Sequence, residues 1–206
     1  PSAVRTNILA IPGIRDPFVT DHAMDENGDY GMSLYVMDIP YFDDNNARVF
    51  DDSTSRPNVD KTIGEFERRR VDENATATYF PNVVITDDNT GENVEVPPSV
   101  AALAALGFND RISYPWFAPA GFNRGSLGFV SNVSTRLNSG DRDSLYEARI
   151  NPIASFPTSV AGRSPYVIFG QKTLQQAKSA LDRVNVRRLL LEVKRQVVRV
   201  ANSLVF

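Results

Sequence analysis

Asn7-Ile8-Leu9-Ala10-Ile11-Pro12-Gly13 and Ser33-Leu34-Tyr35-Val36-Met37-Asp38-Ile39-Pro40 are two apolar runs of strand length, and the stretch between them decides the fold class. Each run ends at a proline, which closes a buried strand. Between them Asp16 suits a helix N-cap and Pro17 a first helical position. Phe18, Val19, His22 and Ala23 follow at helical spacing to Met24, and Gly28 and Gly31 end the segment. Strand, helix and strand within about thirty residues form a βαβ unit, hence a parallel sheet with helical cover.

Working outward, residues 41–60 are acidic and read as an exposed loop. Lys61 to Asn74 is charged and helical in pattern, with Ile63, Phe66 and Val71 facing inward. Ala77 to Thr86 and Val94 to Val96 flank Asp87-Asp88-Asn89-Thr90-Gly91 and read as a hairpin. Pro97-Pro98-Ser99 starts an Ala/Leu helix to Leu106 that Gly107 stops. Tyr114 to Ser126 combines aromatics, Pro and Gly, and reads as a packed crossover, with a module boundary near residue 111.

Beyond it, Leu127 to Leu137 is strand or mixed structure. Asp143 to Arg149 is a short helix whose Ser144 and Glu147 match a capping box, and Asn151-Pro152 ends it. Pro165 to Gly170 is a strand. A long amphipathic helix runs from Asp182 or Asn185 to the end. The fold class is therefore α/β with a parallel sheet, followed by a small α+β part ending in that helix.

The 206 residues hold no Cys and one His, His22. A disulfide scaffold, a thiol nucleophile, Cys-based metal sites and multi-His metal sites are excluded. No apolar run reaches transmembrane length, and no signal-peptide pattern opens the chain. The start at Pro1-Ser2 and the stop at Phe206 inside a helical pattern suggest a piece of a longer polypeptide. Residues 1–110 hold 8 Lys/Arg against 20 Asp/Glu, net -12, and residues 111–206 hold 14 against 5, net +9. That division points to two modules with different neighbours and to self-association.

On the terminal helix, Val186, Leu189, Leu190, Val193, Val197, Val200 and Leu204 fall within roughly 60° of one line and read as the core stripe. Arg188, Arg195 and Arg199 lie opposite, with Glu192 between the first two. Arg187, Leu191, Lys194 and Val198 form a flanking row, alternately basic and apolar. Another protein with an acidic surface could cover that row, or another part of the same chain. Nucleic acid is a third reading, weakened by the lack of stacking aromatics and of overall basic charge.

Catalytic patterns are missing: no GxxxxGK[ST], GxGxxG or GxSxG occurs. Asp25-Glu26-Asn27-Gly28-Asp29 has its Gly misplaced for a calcium loop and Val36 at the twelfth position, so it reads as a solvated turn. His22 sits beside Asp21 without a serine elbow. Asn74-Ala75-Thr76 and Asn132-Val133-Ser134 match the glycosylation pattern, which arises often by chance. Asp43-Asp44 and Asp51-Asp52 lie in polar loops where nothing would raise a pKa. No catalytic residue, cofactor site or metal site is assigned.

Several stretches together resemble the contractile tail sheath proteins of bacteriophages. Trp116-Phe117-Ala118-Pro119-Ala120-Gly121 with Arg124-Gly125 is similar to the family's W-x-A-P-A-G-x-x-R-G. Leu145-Tyr146-Glu147 with Ile150-Asn151-Pro152-Ile153 is similar to L-Y-x-x-x-I-N-x-I, and Phe169-Gly170-Gln171-Lys172-Thr173-Leu174 to W-G-x-[RK]-T-L. Asn185-Val186-Arg187-Arg188-Leu189-Leu190-Leu191, ending Lys194-Arg195, is similar to I-N-V-R-R-L-x-x-x-I-K-R. Val96-Pro97-Pro98-Ser99 resembles the V-P-P-S before a small-residue helix. These motifs keep the family's order over about residues 95–199; Phe169 departs where the family often has Trp.

The resemblance implies that residues 1–110 belong to a subtilisin-like α/β domain without a working triad. It implies that residues 111–206 form the tube-facing C-terminal α+β domain, with the C-terminal arm missing. The helix from Asn185 would face the tail tube, so Arg187, Leu191, Lys194, Arg195, Val198 and Arg199 are the expected contacts with the tube or a neighbouring subunit. Implied partners are further sheath subunits in hexameric rings, the tail tube protein, and baseplate and tail terminator proteins, with no nucleic acid and no membrane. The implied role is structural: rings stacked on the tube contract and drive it through the host envelope for genome ejection. The location would be the virion tail, assembled in the bacterial host cytoplasm. The alternatives are the sheath of a contractile bacteriocin or type VI-like injection machine and, more remotely, a hydrolase on a subtilisin-like fold using His22 and Ser33.

Overall fold

A computed structural model describes residues 6–50, 54–157 and 164–205. Its elements in chain order are β1 (Ile8–Ala10), α1 (Pro17–Tyr30), β2 (Leu34–Met37), β3 (Tyr41–Phe42), β4 (Arg48–Val49), α2 (Val59–Arg68), β5 (Thr76–Phe80), β6 (Val83–Thr86) and β7 (Asn93–Val96). Then come α3 (Pro98–Ile112), α4 (Gly121–Arg124), β8 (Val130–Val133), α5 (Ser139–Glu147), β9 (Ile150–Ser155), β10 (Tyr166–Ile168), a 3-10 turn (Ala180–Asp182) and α6 (Val184–Val205).

The main sheet has the order β1-β2-β5-β9-β10. Its first four strands are parallel and β10 is antiparallel, with Leu9 opposite Tyr35, Val36 opposite Ala77, Tyr79 opposite Asn151 and Val167 opposite Ala154. Side chains alternate across the sheet. Leu34, Val36, Ala77, Tyr79 and Ile153 meet Ala101, Ala102 and Ala105 of α3 and the start of α6. Tyr35, Met37, Phe80 and Ile150 meet Phe66 of α2 and Leu145 of α5 on the other face. Both faces are dry, which is why these strands read as continuous apolar runs.

The βαβ unit forms as expected, with Asp16 capping α1 through Phe18 N–H and Gly31 closing it in the left-handed conformation (φ 61°). Three details differ. β1 is half-buried because it is the sheet's edge. Helix α1 runs through Gly28, so residues 25–29 are helical and not a turn. It buries Thr20 and Asn27 and leaves Phe18 85% exposed.

The acidic 41–60 stretch holds the β3/β4 hairpin, which buries Tyr41 and Val49. The run 77–86 divides at Pro81: β5 lies inside the main sheet, while β6 pairs with β7 and β8 in a second, three-stranded sheet. Helix α3 passes through Gly107 and ends at Ser113. A capping box starts α5, but it is Asn138 with Asp141, not Ser144 with Glu147. Asn151-Pro152 lies within β9, between β5 and β10. The expected boundary at 110/111 falls inside α3, and both sheets take strands from either side of it.

Candidate partner-binding surface

The motif residues lock the base from which α6 projects. Asn151 is fully buried; its Nδ2 donates to Thr78 O (3.0 Å) and Lys172 O (2.8 Å), and its Oδ1 accepts from Lys172 N (2.7 Å). Gly170 is required beside it, since a Cβ there would lie 2.8 Å from Asn151 Oδ1. Lys172 is also buried; its Nζ donates to Tyr146 O at 2.8 Å and sits 3.8 Å from the Tyr146 ring centroid. Burial pushes the Lys172 ammonium below its ordinary pKa, against the nearby Glu147. At the crossover, a Cβ on Gly125 would lie 2.6 Å from Ala120 Cα. Arg124 stacks on Phe117, 4.3 Å to the centroid.

Helix α6 carries two seams at i, i+3, i+4 spacing. One faces the body: Val184, Arg188 and Leu191 are buried, and Arg195 and Val198 are partly covered. Arg188 is 6% exposed because its Nη2 donates to both carboxylate oxygens of Asp110 on α3, 2.7 Å to Oδ1. Leu191 packs into the core with Leu34 and Tyr79.

The other seam is the apolar one. Leu190, Val193, Val197, Val200 and Leu204 are 39%, 49%, 61%, 57% and 81% exposed. The stripe expected to be core is therefore mostly open. The reason is geometric: α6 packs on β2 and the 3-10 turn through the side that carries Val184, Arg188 and Leu191, and the apolar seam lies on the opposite side. The seam facing the body could keep an arginine because Asp110 pairs with it.

The basic flank is met by acidic groups of the same chain. A cavity of about 580 Å³ lies between Arg187, Leu191 and Lys194 on one side and Asp25, Asp29 and Glu73 on the other. Lys194 Nζ donates to Gly31 O (2.8 Å), the C-cap of α1, where a cation also meets the negative end of the helix dipole. Arg187 Nε donates to Leu181 O (2.8 Å), and burial lowers its guanidinium pKa, opposed by Glu73. Arg195 pairs with Glu192 at 2.7 Å. Of the six expected contacts, Leu191 is buried against the core, Arg187 and Lys194 are tied within the chain, and Arg199 stands exposed.

Elsewhere polar groups serve the fold. Asp38, at the end of β2, accepts from Gly13 N (2.9 Å), Ser99 N (3.1 Å) and Ser99 Oγ (2.6 Å), and so caps α3 from outside. Burial raises its carboxyl pKa, against those bonds. The His22 side chain is exposed and makes no hydrogen bond or ion pair among the described residues, and Ser33 Oγ is buried and committed to Asn27. Asp43 closes a turn onto Asn45 and Ala47; Asp51-Asp52 lie outside the described residues. Among the described residues no His, Cys, Asp and Glu cluster could hold a metal ion, and no helix is long and apolar enough to cross a membrane.

No family model matches the chain. It is 39% identical over 113 residues to the tail sheath protein of Vibrio phage KVP40, a match covering 55% of this chain and 16% of that protein. It is 35% identical over 106 residues to the tail sheath protein of Enterobacteria phage T4, covering 52% and 15%. These matches span only about a sixth of the curated relatives' length. Among solved structures, a chain of the anti-feeding prophage baseplate superposes with a TM-score of 0.67 at 21% identity, over 97% of this chain and 46% of that one. A chain of the same particle's contracted helical sheath gives 0.65 at 22%, over 98% and 48%. Over about half its length the chain is thus similar in sequence to phage tail sheath proteins, and over nearly all of it its α/β fold is like that of these anti-feeding prophage chains.

Proposed function

We propose that the chain is the part of a tail sheath subunit that joins its α/β body to the tail tube, and that it works by packing and carries out no reaction. Sheath subunits stack as hexameric rings around the tube. They contract when the lattice passes from a metastable extended packing to a shorter one, which drives the tube through the host envelope for genome ejection. The partners are other sheath subunits, the tube protein, and baseplate and terminator proteins. The particle is a phage tail assembled in the host cytoplasm.

One observation carries the reading: α6 offers an apolar seam, Leu190 to Leu204, that the described residues of this chain leave exposed. A monomer gains nothing from five exposed aliphatic side chains in register, whereas a helix laid on a tube does. In this reading the tube contact moves from the basic flank to the apolar seam. The likeness to the anti-feeding prophage supports a second reading, the sheath of a phage-derived injection machine. Electron microscopy of the full polypeptide expressed alone tests the proposal: striated hollow cylinders are expected, and dispersed single particles in every buffer would refute it.

A further inference from the structure

Among the described residues, another uncovered apolar surface lies away from α6. A cavity of about 510 Å³ opens between α3, α4 and the turn before β8, lined by Ala104, Phe108, Phe122 and Phe129. Phe108, Phe122 and Phe129 are 42–45% exposed. Phe122 extends the surface by edge contact with Phe156 (5.2 Å), which meets Phe169 (5.1 Å). Guanidinium groups rim it: Arg111 lies over Phe108 (5.8 Å) and Arg142 over Phe156 (4.8 Å). Among the described residues neither arginine has a carboxylate partner. An aromatic basin with unpaired cations on its rim fits an acidic segment that carries an aromatic side chain.

The chain itself carries such a segment. The outer face of α1 presents Phe18, His22 and Glu26, all exposed and on the side opposite Thr20 and Asn27, with Asp25 and Asp29 at its edge against the cavity under α6. Phe18 is 85% exposed. None of the three carboxylates has an ion pair among the described residues. Helix α1 belongs to the net -12 half; Phe122, Phe129 and the rim residues Arg111 and Arg142 belong to the net +9 half, while Ala104 and Phe108 come from the end of the first. We propose that α1 of one copy docks in the aromatic basin of the next, Phe18 filling the cavity and Glu26 facing the rim arginines. Donor and acceptor surfaces differ, so the contact is head-to-tail and propagates from copy to copy. The inference deepens the sheath reading and rests on it only for the presence of many copies side by side.

The test uses thiol cross-linking, because these residues contain no Cys. Val19→Cys stands beside the knob and Asn123→Cys at the basin, leaving Phe18 and the basin rings intact. Treated with a short bis-maleimide, the full polypeptide carrying both substitutions is expected to give a ladder of dimers, trimers and higher species. Mixed single variants give dimers only, and the parent polypeptide defines the background. Adding Phe18→Asp or Arg142→Glu removes the ladder. Cylinders without a ladder, a ladder that survives Phe18→Asp, or dimers from Val19→Cys alone would each overturn the contact and leave the sheath reading standing. A parent polypeptide that stays monomeric in sedimentation overturns both.

Discussion

Asn151 and Lys172 hold each other by the backbone of one and the amide of the other. The Asn151 side chain takes the Lys172 N–H at 2.7 Å and gives a hydrogen to the Lys172 carbonyl at 2.8 Å. Its second hydrogen goes to Thr78 O on β5. One fully buried side chain thus ties two parallel strands to the segment that leads into α6. Asn151→Leu leaves one backbone donor and two carbonyls short of partners in a dry interior, at about 1–3 kcal/mol for each group that finds no other. Asn151→Asp keeps the acceptor but aims a buried carboxylate at two carbonyls. Both variants are expected to lower the thermal midpoint sharply, with Asp at least as damaging as Leu.

Two glycines separate packing from propensity. At Gly125 a Cβ would meet Ala120 Cα at 2.6 Å, a backbone atom that cannot swing aside. Gly125→Ala is expected to destabilise by about 1–3 kcal/mol. Gly107 lies inside α3, and a Cβ there would have nothing within 4 Å. Gly107→Ala should raise stability by about 0.5–1 kcal/mol, as helix-interior Gly to Ala does. Thermal melts of the two variants should therefore move in opposite directions.

Much of this was legible in the chain. The βαβ unit could be read because Asp16, Pro17 and Gly31 carry local backbone chemistry that needs no tertiary context. The resemblance motifs pointed to the family, and the structure gives them physical content: Asn151 with Gly170, Gly125 with Ala120, Arg188 with Asp110. What could not be read was tertiary. Nothing local shows that Gly107 is passed through, or that the run 77–86 serves two sheets. On α6, periodicity located the apolar seam correctly but not its direction. The spacing of apolar residues ranks the faces of a helix by apolarity, and the neighbouring body ranks them by fit. An Asp110 placed 78 residues before Arg188 reversed the expected order.

The two seams of α6 predict a double dissociation. Leu191→Ala empties a core site and is expected to cost about 2–4 kcal/mol in folding stability. Val193→Asp and Val197→Asp place charge on side chains already 49% and 61% exposed. Their effect on the thermal midpoint should be small, within about 0.5 kcal/mol. If α6 lies on the tube, these two variants nevertheless lose assembly around tube protein in electron micrographs. A stable Val193→Asp protein that still sheathes tubes would remove the apolar seam from the contact.

The pH dependence of folding should show opposite signs at two aspartates. Burial raises the Asp38 carboxyl above its unfolded value, so the folded state binds its proton more tightly. The stability it adds is full below the ordinary carboxylate range, about pH 4, and is lost as pH rises through the raised value. Asp87 is the reverse: the Asn89 backbone N–H, foremost, holds its carboxyl low. Its contribution is present above the ordinary range and is lost as pH falls through the lowered value. Urea titrations from acid to neutral pH read both against the Asp38→Asn and Asp87→Asn variants. The parent should lose ground to Asp38→Asn as the pH rises out of the acid range. It should gain on Asp87→Asn over the lower part of the same range. A parent-minus-Asp38→Asn difference that grows with pH would mean that the bonds from Gly13 and Ser99 outweigh burial.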